Sequence, residues 1–200
     1  MIALYLLGCF LLGSIPNAYL AGRLIKNIDL RQHGSGNVGA TNAVRVLGKP
    51  VGFAVFALDF LKGAVPTLLV GRFFPEWAGE PLVGLLAGLT AVIGHMFTPF
   101  LAFKGGKGIA TGGGALCAAY PLLFLVSLAV WVISFSFSRI VSLSSLIAVL
   151  ALFLSSLLTP VSLASKALFF MMVLLVVWSH RANIERLLKG EEHRFSKSNK

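Results

Sequence analysis

Residues 51–71 read VGFAVFALDFLKGAVPTLLVG, an apolar run long enough to cross the hydrocarbon core of a bilayer as one helix. Only Asp59 and Lys62 interrupt this run with charge. Because they are three residues apart, a helix places them on one face, where they can neutralise each other inside a membrane. Intramembrane charge also points to function, so the same pair could brace a site. The run therefore predicts a transmembrane helix with a buried ion pair.

Similar apolar runs recur along the 200-residue chain and set its class. Of its residues 57% are hydrophobic and 12% are charged, whereas soluble domains carry about twice that charged fraction. The runs lie at 2–22, 51–71, 82–101, 109–119, 121–137, 140–158 and 161–178, and only 109–119 is clearly too short to span alone. We expect an all-α, polytopic membrane protein, with residues 1–200 in a single integral domain and 193–200 as a flexible basic tail.

The distribution of positive charge predicts the orientation. Five of the 17 Lys and Arg residues lie in 23–50, two in 102–108 and six in 181–200, whereas 72–81 has one Arg against two Glu. Cytoplasmic loops collect Lys and Arg. The segment 23–50 is therefore predicted to lie inside and 72–81 outside, which puts the N-terminus outside.

Two alternatives exist for 109–137. One long helix gives six spans and places the basic C-terminal segment outside the cell. Two helices that turn near Tyr120–Pro121 give seven spans and keep every basic cluster inside. We therefore expect about seven transmembrane helices and a cytoplasmic C-terminus.

The net charge of +10 is explained by this positive-inside bias and by attraction to anionic lipid headgroups. No basic segment interleaves aromatic residues, so a nucleic-acid partner is not expected. Cys9 and Cys117 lie inside apolar runs without further ligands nearby. This placement indicates buried thiols rather than a metal site.

The first polar segment is SGNVGATN, residues 35–42, followed by Arg45. Its glycines free backbone N–H groups to form an anion-binding concavity, and Arg45 can clamp a phosphate with two hydrogen bonds. An interfacial loop that is merely solvated is the alternative, although a plain linker rarely mixes so many donors with so few acids. The candidate ligands in this segment are Ser35, Asn37, Gly39, Thr41 and Asn42.

The second segment is GHMFTPFLAFKGGKGIATGGG, residues 94–114. Its KGGKG places two lysines around two glycines directly before a predicted helix start, which suits a phosphate. It is not a Walker A loop, because neither Lys precedes Ser or Thr, and a tight turn with snorkelling lysines is an equal alternative. The TGGG that follows would let helices approach closely. The candidates are Lys104, Gly105, Gly106, Lys107 and Gly108.

Three further residues are candidates on the same face of the membrane. His95, near the inner end of its span, is either a ligand or hydrogen-bonded to a neighbouring helix. Ser142 could reach a ligand at headgroup depth. In HRANIERLLKGEE, residues 180–192, a helix would bring His180 and Asn183 onto one face. His180 is then a candidate proton acceptor or phosphate donor, which Asn183 could orient.

Taken together, SGNVGATN with Arg45, GHMFTPFLAFKGGKGIATG (94–112) and HRANIERLLKGEE resemble the three loop motifs, in order, of the PlsY-type acyl-phosphate:glycerol-3-phosphate acyltransferases of bacterial membranes. The resemblance implies transfer of a fatty acyl group from acyl-phosphate to the 1-hydroxyl of sn-glycerol 3-phosphate. The products are lysophosphatidic acid and phosphate, and no cofactor is implied. It also implies a bacterial inner-membrane enzyme, functional as a monomer, with its active site facing the cytoplasm.

The resemblance further implies a structural role for Glu192 and catalytic roles for five residues, namely Ser35, Arg45, Lys104, His180 and Asn183. The rival hypothesis is a transporter or binder of a phosphorylated lipid precursor that uses the same cationic pocket without chemistry. Inverted-repeat symmetry between the halves would favour that rival, and the sequence has no convincing repeat.

Overall fold

The computed structural model describes residues 1–195, and every regular element among them is helical. The predicted all-α class is confirmed. The helices are α1 (Ile2–Ser14), α2 (Asn17–Lys26), α3 (Ala40–Leu47), α4 (Lys49–Phe73), α5 (Pro81–Met96), α6 (Ile109–Ala119), α7 (Pro121–Ser138), α8 (Val141–Leu157), α9 (Leu163–Ser179) and α10 (Arg181–Leu188). Short 3₁₀ turns lie at Leu30–Gln32, Pro75–Trp77 and Pro99–Leu101.

Several of these helices have the length and composition of membrane spans. Within residues 1–195, four segments are long and apolar enough, namely Ile2–Lys26, Lys49–Phe73, Pro81–Leu101 and Pro121–Ser138. Helices α9 and α10 make a fifth if this pair, bent by 62°, is one span, and α6 and α8 are apolar but shorter. The count of about seven spans and the orientation of the termini stay predictions. For 109–137 the structure has two helices, since α6 ends at Ala119 and α7 begins at Pro121.

The chain divides into two compact units, Met1–Tyr120 and the part that begins at Pro121. In the first unit α4 packs against α3, α5 and α6, and α1 packs against α5. In the second unit α8 packs against both α7 and α9. The single integral domain predicted for 1–200 stays a prediction. The flexible tail at 193–200 also stays a prediction; the Phe195 N–H donates to the Arg139 carbonyl at 2.9 Å, and 196–200 lie outside the described residues.

Paired glycines bring α1 and α5 into backbone contact. A Cβ added to Gly13 would lie 2.1 Å from the carbonyl oxygen of Ala91, and one added to Gly94 would lie 2.1 Å from that of Phe10. Both distances are far below van der Waals contact, so neither position tolerates a side chain without separating the helices. Small residues at such crossings are a common way to pack helices in a membrane.

The crossing of α4 and α6 is built in the same reciprocal way. A Cβ on Gly63 would lie 1.9 Å from the Thr111 carbonyl oxygen, and one on Gly114 would lie 1.9 Å from the Phe60 carbonyl oxygen. The close approach predicted from the TGGG sequence is therefore confirmed at Gly114.

The first membrane segment is interrupted at Ile15–Pro16, between α1 and α2. Carbonyl groups freed at a helix break need donors, because hydrocarbon offers none. The Ser14 carbonyl accepts a hydrogen bond from the Thr98 hydroxyl at 2.6 Å. The Ile15 carbonyl accepts one from the ammonium group of Lys62. Side chains from outside α1 and α2 thus complete the broken helix.

The ion pair predicted between Asp59 and Lys62 is confirmed, with Lys62 Nζ 2.8 Å from Asp59 Oδ1. The two residues are 2% and 4% exposed. Asn17 Nδ2 donates to the same oxygen at 3.0 Å, and His95 Nδ1 lies 3.8 Å from it. We call Asn17, Asp59, Lys62 and His95 the Asp59 cluster. Asn17 on α2 and His95 on α5 both face the Asp59 carboxylate of α4, so this cluster joins the three helices.

We expect Gly114→Ala to lower the midpoint of thermal unfolding in detergent, because the new methyl group meets the α4 backbone. Overpacking of this kind costs about 1–3 kcal/mol. Gly8→Ala is the matched control, since a Cβ there meets nothing within 4 Å and alanine is the better helix former. Equal midpoints for the two variants would contradict the close α4–α6 crossing.

Candidate functional site

The loop before α3 is organised by the side chain of Asn42, which is 1% exposed. Its Oδ1 accepts a hydrogen bond from the Ser35 N–H at 2.9 Å. Its Nδ2 donates to the carbonyls of Leu30 at 3.3 Å and His33 at 2.9 Å. Both amide hydrogens are therefore used inside the fold. Asn42 therefore holds the loop in place, and its role as a substrate ligand stays a prediction.

The other candidates of this segment surround the start of α3. Ser35, Asn37, Gly39 and Thr41 are half-buried, as is Arg45. Gly39 precedes the first residue of α3, so the positive end of the helix dipole lies at this point. Thr41 and Arg45 are four residues apart on α3 and share a face. These groups have the chemistry of an anion site.

Asp29 anchors the same loop and was not singled out from the sequence. Its carboxylate accepts two hydrogen bonds from the Arg31 guanidinium, at 2.7 and 3.0 Å, and Arg23 lies 3.7 Å away. The hydrogen bonds from Arg31 lower the pKa of Asp29 to about 2. The only sequence signal for this anchoring role is the two-residue spacing of Asp29 and Arg31, which allows an Asx-type turn. The structure contains this turn, because the Arg31 N–H donates to Asp29 Oδ1 at 3.0 Å.

The KGGKG loop folds back onto the C-terminal end of α5. The Gly105 N–H donates to the Met96 carbonyl and the Gly106 N–H to the His95 carbonyl, both at 3.0 Å. The last carbonyls of a helix have no partner within it, so the loop caps α5. Both amides are engaged in the fold, and phosphate binding by Gly105 and Gly106 stays a prediction. Gly108, with φ +77°, leads into α6.

The two lysines of the loop differ in their surroundings. Lys104 is exposed and Lys107 is half-buried. Among the salt bridges of residues 1–195, none involves the Lys104 side chain. Ala102 and Phe103 just before it have φ of +52° and +62°, a conformation that costs a residue with a Cβ roughly 1–2 kcal/mol. The backbone is therefore strained at the turn that presents Lys104, and such strain is common at functional sites.

His95 contacts its neighbours through both edges of its ring. Nδ1 faces Asp59, and Nε2 lies so close to Gly106 that a Cβ there would approach it to 2.1 Å. Of the two alternatives for His95, contact with a neighbouring helix is the one observed. A role of His95 as a substrate ligand stays a prediction.

In the second unit, His180 ends α9 and is 2% exposed. Its Nδ1 lies 2.8 Å from the Val176 carbonyl oxygen, which can only accept. The proton is therefore assigned to Nδ1, and in the neutral tautomer of this kind the lone pair lies on Nε2. This tautomer has the chemistry required of a proton acceptor.

Glu192 gathers three side chains of the second unit. Asn183 Nδ2 donates to its Oε1 at 2.7 Å, Ser142 Oγ to the same oxygen at 3.0 Å, and Arg186 Nε to Oε2 at 2.8 Å. The Ser142 hydroxyl donates its hydrogen to Glu192, and its role as a substrate ligand stays a prediction. Asn183 is held by the same carboxylate, which matches the structural role implied for Glu192.

The hydrogen bonds to Glu192 also change its pKa. Burial alone would raise the pKa, but the bonds from Asn183, Arg186 and Ser142 outweigh it and hold the pKa below the ordinary value. A carboxyl whose folded-state pKa is depressed stabilises the fold above its unfolded-state pKa, and this contribution is lost as pH falls through the folded-state pKa.

We therefore expect Glu192→Gln to lower the thermal unfolding midpoint at pH 7. The deficit relative to the unmodified protein should begin to shrink as pH falls below about 4.5, the ordinary glutamate value, where the unfolded-state carboxyl protonates, and it should disappear once pH falls through the lower folded-state pKa. Glu185→Gln is the control, because Glu185 makes one exposed pair with Lys189, and such pairs contribute about 0–1 kcal/mol. A deficit that does not change with pH would contradict the ionic role of Glu192.

Comparison with known proteins was made by sequence and by fold. The sequence model of the glycerol-3-phosphate acyltransferase family matches residues 3–190. A glycerol-3-phosphate acyltransferase of Synechococcus sp. (strain CC9902) is 47% identical over 193 residues, which cover 96% of this chain and 94% of the relative. One of Aquifex aeolicus (strain VF5) is 45% identical over 190 residues, covering 93% and 95%.

Two crystal structures of PlsY, an integral membrane glycerol 3-phosphate acyltransferase, have the same fold. The glycerol 3-phosphate form superposes with a TM-score of 0.90 at 41% identity, and the lysophosphatidic acid form with 0.87 at 40%. Each match covers 97% of this chain and 95% of the other. The family model and these relatives extend over nearly the whole sequence, and the chain belongs to the glycerol-3-phosphate acyltransferase family of integral membrane proteins.

Proposed function

We propose that this protein transfers a fatty acyl group from acyl-phosphate to the 1-hydroxyl of glycerol 3-phosphate, with lysophosphatidic acid and phosphate as products. Acyl transfer to glycerol 3-phosphate follows from family membership. The nature of the donor, the residue roles and the membrane face are our own assignments. The observation that carries them is the match, over 97% of the chain, to a PlsY in its glycerol 3-phosphate form.

The charge of the candidate residues fits these substrates. Acyl-phosphate and glycerol 3-phosphate both carry phosphate, and Arg45 and Lys104 supply the cations to bind two anions together. Phosphate is a good leaving group, so the protein mainly has to orient the reactants and stabilise the oxyanion that forms as the hydroxyl attacks. We assign that stabilisation to Ser35, Arg45 and Lys104. We also assign to substrate binding the remaining candidates, namely Asn37, Gly39, Thr41, Asn42, His95, Gly105, Gly106, Lys107, Gly108 and Ser142.

The hydroxyl proton has two chemically suitable acceptors. One is Nε2 of His180, since Nδ1 carries the ring proton. The other is a phosphate oxygen of a substrate, whose pKa near 6 makes it a usable base. We assign Ser35 as a ligand rather than a covalent carrier, because within the first unit no hydrogen bond joins its hydroxyl to a base. The His180→Gln variant distinguishes the two acceptors. If this variant still turns over with an unchanged pH profile, the substrate phosphate is the base.

We further propose that the protein lies in the bacterial inner membrane as a monomer with about seven spans. The N-terminus is outside, and the basic segments, the active site and the C-terminus face the cytoplasm. The charge bias of the loops supports this orientation. The break between α6 and α7 supports the count of seven.

The donor assignment predicts a substrate preference. Purified protein in detergent, given acyl-phosphate and glycerol 3-phosphate, should release phosphate at a rate that depends on glycerol 3-phosphate and form lysophosphatidic acid in equal amount. Acyl-CoA should support little or no product. Equal rates with the two donors would overturn acyl-phosphate as the donor, and no product with either would overturn the enzyme reading.

The ligand assignment predicts separate losses at two cations. Lys104→Ala and Arg45→Ala should each lower kcat/KM about 10- to 100-fold, since a hydrogen bond to a charged group contributes about 1.5–3 kcal/mol. Lys189→Ala is the matched control, because its ammonium pairs with exposed Glu185, and its activity should stay within about twofold of the unmodified protein. Equal activity of Lys104→Ala and Lys189→Ala would contradict the phosphate-binding role of Lys104.

A further inference from the structure

We propose that Asp59 and His95 act as a positioning pair that fixes the Lys104–Gly108 loop in its phosphate-binding conformation. The inference rests on the proposed function, since it assigns to that loop a part in binding glycerol 3-phosphate. Neither residue touches the substrate. Their effect is transmitted through the backbone of Gly105 and Gly106.

The imidazole of His95 lies between a buried charge and the loop. Its Nδ1 is 3.8 Å from Asp59 Oδ1, a distance too long for a hydrogen bond but short enough for electrostatic orientation in an apolar interior. Its Nε2 lies against Gly106, where an added Cβ would approach it to 2.1 Å. The ring therefore works as a spacer, with one edge set by Asp59 and the other in contact with the loop.

Asp59 is itself held from two directions. Asn17 on α2 donates to Oδ1 at 3.0 Å, and Lys62 on α4 donates to the same oxygen at 2.8 Å. Lys62 also donates to the Ile15 carbonyl at the α1–α2 break. The carboxylate is therefore fixed relative to α2 and α4. The Nδ1 edge of the His95 ring, which faces this carboxylate, is fixed as well.

The loop in turn depends on the end of α5. Gly105 and Gly106 donate their N–H groups to the carbonyls of Met96 and His95, and a Cβ on Gly105 would lie 2.0 Å from the His95 carbonyl oxygen. Lys104 directly precedes these two residues. A shift of the His95 ring or of the Gly106 backbone would therefore move the Lys104 ammonium, without removing any group that reacts.

The consequence is a defect in substrate affinity rather than in the chemical step. Displacing one phosphate ligand weakens ground-state binding of glycerol 3-phosphate, which raises its KM with a smaller change in kcat. The KM for acyl-phosphate should change less. A role of Asp59 and His95 in stability alone would instead lower the amount of folded enzyme and leave both KM values unchanged.

A double-mutant cycle tests the contact between His95 and the loop. Gly106→Ala should raise the KM for glycerol 3-phosphate tenfold or more, because its methyl group collides with the His95 ring. In a His95→Ala background that ring is absent, so Gly106→Ala should add less than about twofold.

Gly105→Ala provides the matched control, since its methyl group collides with a backbone carbonyl that His95→Ala retains. Its cost in KM should be the same in both backgrounds. Asp59→Asn should raise the KM for glycerol 3-phosphate in the same direction as His95→Ala. If Asp59→Asn unfolds in detergent, the double-mutant cycle of Gly106→Ala and His95→Ala still tests the proposal, because neither of its substitutions removes the buried ion pair.

Multiplicative effects of His95→Ala and Gly106→Ala, or losses confined to kcat, would overturn the proposal. The activity of the unmodified protein distinguishes failure of this proposal from failure of the proposed function. If it does not acylate glycerol 3-phosphate, the function is wrong. If it does, and the cycle shows no coupling, only the positioning role is wrong.

Discussion

The arrangement of the first unit depends on one carboxylate oxygen, Asp59 Oδ1, buried where a membrane span would otherwise be wholly apolar. An isolated charge there would be expensive, and its cost is reduced by the ammonium of Lys62 and the amide of Asn17. Asn17 lies on α2 and Asp59 on α4, so the hydrogen bond between them also fixes α2 against α4. Because Lys62 also donates to the Ile15 carbonyl, one ion pair stabilises both a buried charge and an interrupted helix.

The same constraint, that hydrocarbon leaves no polar group unpaired, explains the shape of the loops. The glycine loop after α5 donates its amides to the carbonyls at the end of that helix. The loop before α3 uses Asn42 to bind three backbone groups at once. In the second unit Glu192 receives donors from Ser142, Asn183 and Arg186. Polar residues that look like ligands in a sequence are, in several of these places, what keeps the backbone satisfied.

This explains which features could be predicted from the sequence. The long apolar helices follow from composition, and the Asp59–Lys62 pair follows from a spacing of three on a helix. The break between α6 and α7 was predicted from charge and from Pro121. In contrast, Asn42 and Ser142 looked like free donors, because their partners lie 7 to 12 and 50 positions away along the chain. Local spacing carries no information about such contacts, and an amide of Gly105 cannot be known to be engaged until α5 is placed beside it.

The reciprocal glycine crossings have a mechanical consequence. At Gly13 with Gly94, and at Gly63 with Gly114, the backbone of one helix occupies the volume that a side chain would need on the other. Sliding either helix along its axis would bring a larger residue to the crossing and push the pair apart. These helices therefore keep one register, and the first unit behaves as a fixed frame. Any movement that admits an acyl chain and releases the lipid-soluble product must then come from parts of the protein other than these two crossings.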